Sequence, residues 1–250
     1  MEFKNKVVLV TGAASGMGFL SSRCFAAQGA KVAMVDVNSK QLEKCSAEIA
    51  AAGGECYPIT ADVRDYGQVT AACKTAIEYF ERIDILVNVA GGAARRILNC
   101  SAESFTATPI EVFNWGIDVN FKGPFYFAHA AMKYMEQQNS GVIVNVGSIT
   151  GEEGCPLSVD YSASKSGVMY GLTKSLALAG APHNIRCCCV SPGPVLTRPG
   201  MAGMNTLEGR AADPQEIVDL ILYVASDKAK FVNGANFLID GGRNIMRGKN

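Results

Sequence analysis

The chain has 250 residues, with 23 Lys and Arg against 23 Asp and Glu and a formal net charge of zero. That balance gives no electrostatic footprint for nucleic acid or an anionic membrane surface. Residues 1–6 lack the apolar core and cleavage site of a signal peptide, and no apolar run reaches the ~20 residues that span a bilayer. A cytoplasmic protein without membrane or nucleic-acid partners is therefore expected.

Short apolar runs alternate with longer segments of helical period. The pattern predicts a strand over 6–10 and a helix over 16–28, then a strand over 31–36 and a helix over 39–52 ended by Gly53-Gly54. A strand over 55–60, a helix over 66–80 and a strand over 83–89 follow. Residues 109–137 read as one helix, bent near Gly123-Pro124. Strands at 142–146 and 185–190 flank a helix over 160–178, and a helix over 214–226 and a strand over 236–240 close the chain. This alternation implies an α/β fold, a doubly wound parallel sheet with helices on both faces. Runs such as Val7-Val8-Leu9-Val10 suit strands buried on both sides. With no linker or repeat, residues 1–250 are read as one domain. The least regular stretch, 193–212, is rich in Gly, Pro and Met, and loops that long in a compact domain are usually functional.

The nine cysteines are scattered and odd in number, include no C-x-x-C pair, and are accompanied by two histidines, His129 and His183. A zinc site is not expected, and the thiols read as reduced, mostly buried apolar residues.

Chemistry is suggested first by Thr11-Gly12-Ala13-Ala14-Ser15-Gly16-Met17-Gly18, between the first strand and first helix. Glycines there let backbone N–H groups approach a diphosphate at a helix N-terminus. The spacing is G-x-x-x-G-x-G, not the common G-x-G-x-x-G, and an ordinary tight βα turn is the competing reading. Asp36 ends the second strand, where a carboxylate accepts hydrogen bonds from adenosine ribose hydroxyls and repels a 2′-phosphate; alternatively it caps the helix that starts near Ser39. Tyr161 and Lys165, four apart on a helix, are neighbours, and a nearby ammonium favours a phenolate, which makes a tyrosine a usable acid or base. Ser148 follows the strand over 142–146 at the ligand-binding edge of such a sheet, and Asn120 is a polar amide in a long helix, suited to a helix distortion.

With these motifs in order, the sequence resembles the short-chain dehydrogenase/reductase family over nearly its whole length, and the resemblance implies a Rossmann-like fold. Asp62-Val63 resembles the family's adenine-contacting pair, and Asn88-Val89-Ala90-Gly91 resembles its Asn-Asn-Ala-Gly element, with valine for the second asparagine. Ser191-Pro192-Gly193, with Val195 and Thr197, resembles the segment packed on the nicotinamide, and Asp240-Gly241-Gly242 the closing strand. The resemblance implies NAD as cofactor, bound by Gly12, Ser15, Gly16, Met17, Gly18, Asp36, Asp62, Val63, Asn88, Ala90, Gly91, Tyr161, Lys165, Pro192, Gly193, Val195 and Thr197. It implies a catalytic tetrad of Asn120, Ser148, Tyr161 and Lys165, without a metal. Tyr161 would exchange a proton with the substrate oxygen, Ser148 would orient that oxygen, Lys165 would hold the nicotinamide ribose, and Asn120 would position a relay water.

The expected function is NAD(H)-dependent interconversion of a secondary alcohol and a ketone; the alternative is a non-catalytic dinucleotide-binding redox sensor. A homotetramer is implied, paired through the helices at 109–137 and 160–178, which carry Phe121, Phe125, Phe127, Met169, Leu172 and Leu176. Arg95, Arg96, Glu152 and Glu153 border the expected substrate region, as do Met201, Met204 and Leu207 in a flap over about 194–212. Either arginine would suit a carboxylate or hydroxylated substrate, or else all four charges are solvated.

Overall fold

The computed structural model describes residues 1–201 and 203–247; residue 202 of the expected flap and residues 248–250 of the expected domain lie outside the described residues. Seven parallel strands form one sheet in the order β3-β2-β1-β4-β5-β6-β7. They are β1 (Val7–Thr11), β2 (Lys31–Asp36), β3 (Glu55–Thr60), β4 (Ile85–Asn88), β5 (Gly141–Val146), β6 (Ile185–Pro192) and β7 (Asn236–Ile239). Strand β1 is an interior strand, with Val8 in register with Val32 on one side and Ile85 on the other. Its residues alternate between two cores. Val8 and Val10 pack with Phe25, Leu42 and Ile217 on one face, and Val7 and Leu9 with Val69, Phe127 and Met135 on the other. Both faces are covered, which is why the strand is apolar at consecutive positions rather than every second one.

The first face is covered by α1 (Gly16–Ala27), α2 (Ser39–Ala51) and, from the end of the chain, α10 (Pro214–Ala225). The second is covered by α3 (Tyr66–Phe80) and by two long helical stretches. Between them lie two short helices that the sequence pattern did not reveal, α4 (Ala94–Ile97) and α7 (Thr150–Glu153). Each is too short for an amphipathic repeat to register.

The long stretches are each interrupted by a π turn. The first runs through α5 (Ile110–Ile117), the π segment Asp118–Lys122 and α6 (Gly123–Gln138); the second through α8 (Val159–Gly167), the π segment Val168–Leu172 and α9 (Thr173–Gly180). The expected bend at Gly123-Pro124 is thus a π turn just before it. The Asn120 side chain causes it locally: Nδ2 donates to the Gly116 carbonyl at 2.8 Å, taking the acceptor a normal helical N–H would use. Of the apolar residues expected to be surplus on these helices, Phe127 and Met169 are fully buried in the chain's own cores, and Leu172 nearly so. Phe125, also among those expected, faces outward at 46% exposure, together with Ile110 at 63% and Leu178 at 78%.

Parallel order places every strand's C-terminal end on one edge, and the chain reverses direction across the sheet between β1 and β4. Ligands of such sheets bind in the crevice at that reversal.

Candidate active site

The crevice holds two joined clefts sharing Met17, Val89 and Gly91. The first, about 520 Å³, lies over β1 and β2 and is lined by Gly12, Ser15, Gly16, Gly18, Asp36 and Asp62, among others. Gly18 can only be glycine: a Cβ there would lie 2.1 Å from the Gly12 carbonyl oxygen. Gly16 adopts φ +51° with nothing within 4 Å of its missing Cβ, so the turn leaves open space above the start of α1. This is more than a tight βα turn requires, and it fits a bound diphosphate.

Asp36 braces this loop. Its Oδ2 accepts from Ala14 N at 3.0 Å and its Oδ1 from Asn38 N at 2.9 Å. It does not cap α2; Asn38 does, accepting from Gln41 N at 3.1 Å. Across the cleft, Asp62 is clasped by Arg64 through Nε at 3.0 Å and Nη2 at 2.6 Å, and this pairing holds the Asp62 carboxyl below the usual carboxylate range. The Arg64 guanidinium in turn lies 5.8 Å from the Trp115 ring centroid, and Ile97, Leu98 and Trp115 line the far wall with Val63. Sequence reasoning missed Arg64 and Trp115; the only available signal was a cation two residues beyond the expected adenine pair and a single tryptophan.

The second cleft, about 410 Å³, is lined by Ser148, Tyr161, Lys165, Pro192, Gly193, Val195 and Thr197, with Met201 and Met204 of the flap. Lys165 is buried and donates from Nζ to the Val146 carbonyl at 2.7 Å; Nζ also lies 5.7 Å from the Tyr161 ring centroid. Ser148 Oγ accepts from Thr150 N at 3.1 Å, which leaves its proton free to donate. Asn120 is fully buried behind the cleft. Its Oδ1 accepts from Gly92 N at 2.8 Å and its Nδ2 donates to Gly92 O at 2.9 Å, so the side chain pins the turn after β4. A Cβ on Gly91 would lie 2.6 Å from Asn120 Oδ1 and 3.5 Å from Lys165 Nζ, which places these groups around one point.

The expected residues do not all face the clefts. Asn88 is buried and donates to Asn145 Oδ1 at 3.0 Å; Asn145 donates to Thr173 Oγ1 at 3.1 Å, a ladder that ties β4 and β5 to α9. The cleft above is held instead by Thr11, whose Oγ1 accepts from Val89 N and Ala90 N, both at 3.1 Å. Glu152 is bonded to the Tyr170 hydroxyl, and Glu153 pairs with Arg243 at 3.2 Å. Arg95 donates to the Leu157 carbonyl at 3.3 Å and does not line the cleft, whereas Arg96 does. The flap is pinned at its base by the Val195–Ala212 bridge. Cys187, Cys188 and Cys189 are fully buried in β6, and burial pushes the Cys189 thiol up to about 11. No described helix is long and apolar enough to cross a membrane.

A doubly wound sheet, a glycine-lined crevice at its reversal point and, beside it, a half-buried Tyr161 among the buried Lys165, Ser148 and Asn120 define a dinucleotide-dependent oxidoreductase. The short chain dehydrogenase model matches residues 6–206, and the chain belongs to that family. It is 36% identical to a 3-oxoacyl-(acyl-carrier-protein) reductase of Thermotoga maritima, over 97% of this chain and 99% of that one. It is 38% identical to a trans-4-hydroxycyclohexanecarboxylate dehydrogenase of Sinomonas cyclohexanicum, over 95% and 92%. The crystal structure of an NAD⁺-bound xylitol dehydrogenase superposes with a TM-score of 0.88 at 28% identity, covering 97% of this chain and 100% of the other.

Proposed function

We propose that this protein is an NAD(H)-dependent enzyme of a single domain that interconverts a secondary alcohol and a ketone. The observation that carries the reading is the meeting of Ser148, Tyr161 and Lys165 in one cleft, with Asn120 locked behind it. Relatives named for reducing an oxo group and for oxidising a hydroxyl group point to the same chemical pair.

The bound nicotinamide supplies the hydride donor or acceptor. Gly12, Ser15, Gly16, Met17 and Gly18 would hold the diphosphate side, Asp36 the adenosine ribose, and Asp62 and Val63 the adenine. Ala90, Gly91, Pro192, Gly193, Val195 and Thr197 would flank the nicotinamide, whose ribose Lys165 would hold. Asn88 would act at one remove, by stiffening the end of β4. Ser148 donates its hydroxyl to the substrate oxygen and fixes its position. In reduction Tyr161 gives that oxygen its proton; in oxidation it takes the proton away. Lys165 sets the field in which the proton moves. Asn120, fixed by its bonds to Gly92 and Gly116, would position a relay water with Lys165. The flap excludes bulk water through Met201 and Met204.

The cofactor preference rests on Asp36. A 2′-phosphate would meet its carboxylate, and the cation lining the same cleft, Arg64, is already engaged by Asp62. The ratio of kcat/KM for NAD⁺ over NADP⁺ should exceed one in the wild type and shrink in Asp36→Ala, measured with whichever alcohol of a substrate panel turns over best. A wild-type preference for NADP⁺ would refute this part of the reading. Assembly as a homotetramer, in the cytoplasm, completes the proposal; the outward Ile110, Phe125 and Leu178 of the long helices support it.

A further inference from the structure

We infer that the substrate carries a carboxylate, bound by Arg96 and Arg198. The inference rests on the reading of the second cleft as the alcohol or ketone site and narrows it to a class of substrate. The side chains that line that cleft include Lys165, Arg96 and Arg198 but no Asp or Glu. Lys165 is committed to the Val146 carbonyl. The other two have no such commitment: among the described residues, neither the Arg96 nor the Arg198 guanidinium has an ion pair or hydrogen bond, and both residues are exposed and line the cleft.

Apart from the exposed Arg23, which lies 3.8 Å from Glu48, and the exposed Arg247, the other arginines are engaged within the chain. Arg64, Arg82, Arg210 and Arg243 each pair with a carboxylate, and Arg95 and Arg186 donate to backbone carbonyls. Glu152 and Glu153 do not line the cleft: Glu153 is held by Arg243, and Glu152 accepts from the Tyr170 hydroxyl. Positive charge facing a cleft whose lining holds no carboxylate favours an anionic occupant. Arg96 is also well placed. Its Nη2 lies 3.4 Å from where a Gly92 Cβ would be, and Gly92 is the residue Asn120 holds. The guanidinium therefore stands beside the reacting centre, where its planar fork can take a carboxylate through two parallel hydrogen bonds. Met17, Ile149, Met201 and Met204 supply the rest of the lining with apolar surface. The occupant they fit is a compact apolar body with one anionic end, with its carbinol toward Tyr161.

Calorimetric titration of butanoate against butanamide, neutral and of the same shape, tests this without turnover. It is run on the free enzyme and on enzyme saturated with NADH. Butanoate should bind at least tenfold more tightly than butanamide in both forms. The preference should fall below threefold in Arg96→Ala, fall partly in Arg198→Ala, and persist in Arg95→Ala, which removes the same charge one residue away. Equal binding of the two probes by the wild type, or a preference that survives in the Arg96→Ala/Arg198→Ala double variant, overturns the inference. Weaker NADH binding by Arg198→Ala with an unchanged preference would assign Arg198 to the cofactor and remove it from the proposed site. Failure of NADH to bind at all would defeat the dinucleotide reading instead, and the free-enzyme titration would still decide the carboxylate.

Discussion

Adding one methyl group at Gly91 tests whether the Asn120 lock is as tight as its geometry indicates. Gly91 is not among the glycines with positive φ, so alanine brings no backbone strain, only contact. The new Cβ would start 2.6 Å from Asn120 Oδ1, whereas ordinary contact begins at 3.4 Å, so the amide must retreat by about 0.8 Å. Its bonds to Gly92 and Gly116 are 2.8 to 2.9 Å long, and that retreat takes at least one of them past hydrogen-bonding range. A buried polar group left unpaired costs ~1–3 kcal/mol and overpacking ~1–3 kcal/mol. Relief of one cost by the other gives a loss of about 2–4 kcal/mol, or roughly 4–16 °C in Tm for a chain of this size. The assay is thermal unfolding of the four members of a cycle built from Gly91→Ala and Asn120→Ala. In the Asn120→Ala background the methyl enters vacated space and should cost less than about 1 kcal/mol, giving a coupling of at least about 1 kcal/mol. A Gly91→Ala variant within about 0.5 kcal/mol of wild type, or an equal loss in both backgrounds, would refute the argument.

Asp160 precedes Tyr161 and is buried against Gly116, with no cation paired to it among the described residues; burial raises its pKa above 3.8, against the lowering effect of the nearby Tyr161 and Asp160 backbone N–H groups. Above that value an unfolded chain ionises freely while the folded one resists, so this group's contribution to stability falls as pH rises, by at most ~1.4 kcal/mol per pH unit, until the raised folded value is passed. The urea stability of Asp160→Asn relative to wild type should therefore improve from about pH 4 upward, and a pH-independent difference would contradict the burial argument. Light scattering at micromolar concentration should report a tetramer, and a monomer would count against the outward faces of the long helices as interfaces.

Much of this was legible in the sequence because the fold repeats a single signal. Seven apolar runs alternate with helical periods, and β1, β2 and β3 fall within a residue of the expected bounds. Of the proposed site, spacing offered only neighbours: Tyr161 and Lys165 share a helical face, and Ser148 follows a strand that ends at the ligand edge, while their grouping with Asn120 came from the family resemblance. Tertiary relations were not legible. Arg64 matters through its clasp on Asp62 and its position by Trp115, and neither partner's distance can be read from a linear chain. Arg95 and Arg96 are adjacent and chemically identical in the sequence; only the start of α4 turns one toward the cleft and the other toward Leu157. Asn88 sits at a position suggestive of cofactor contact, yet its side chain points into the Asn145–Thr173 ladder, because a buried amide needs partners that the open cleft does not offer.

The central claim is proton transfer by Tyr161, and the most direct measurement is the rate of hydride transfer in Tyr161→Phe. The wild type and the variant are mixed with NAD⁺ and the best alcohol of a panel, and the absorbance of reduced nicotinamide is followed, with NADH binding measured alongside. The account predicts that NADH binding persists while turnover falls by at least ~10²-fold, the lower range for loss of a general acid–base. Turnover close to wild type in Tyr161→Phe, with NADH bound normally, would contradict it.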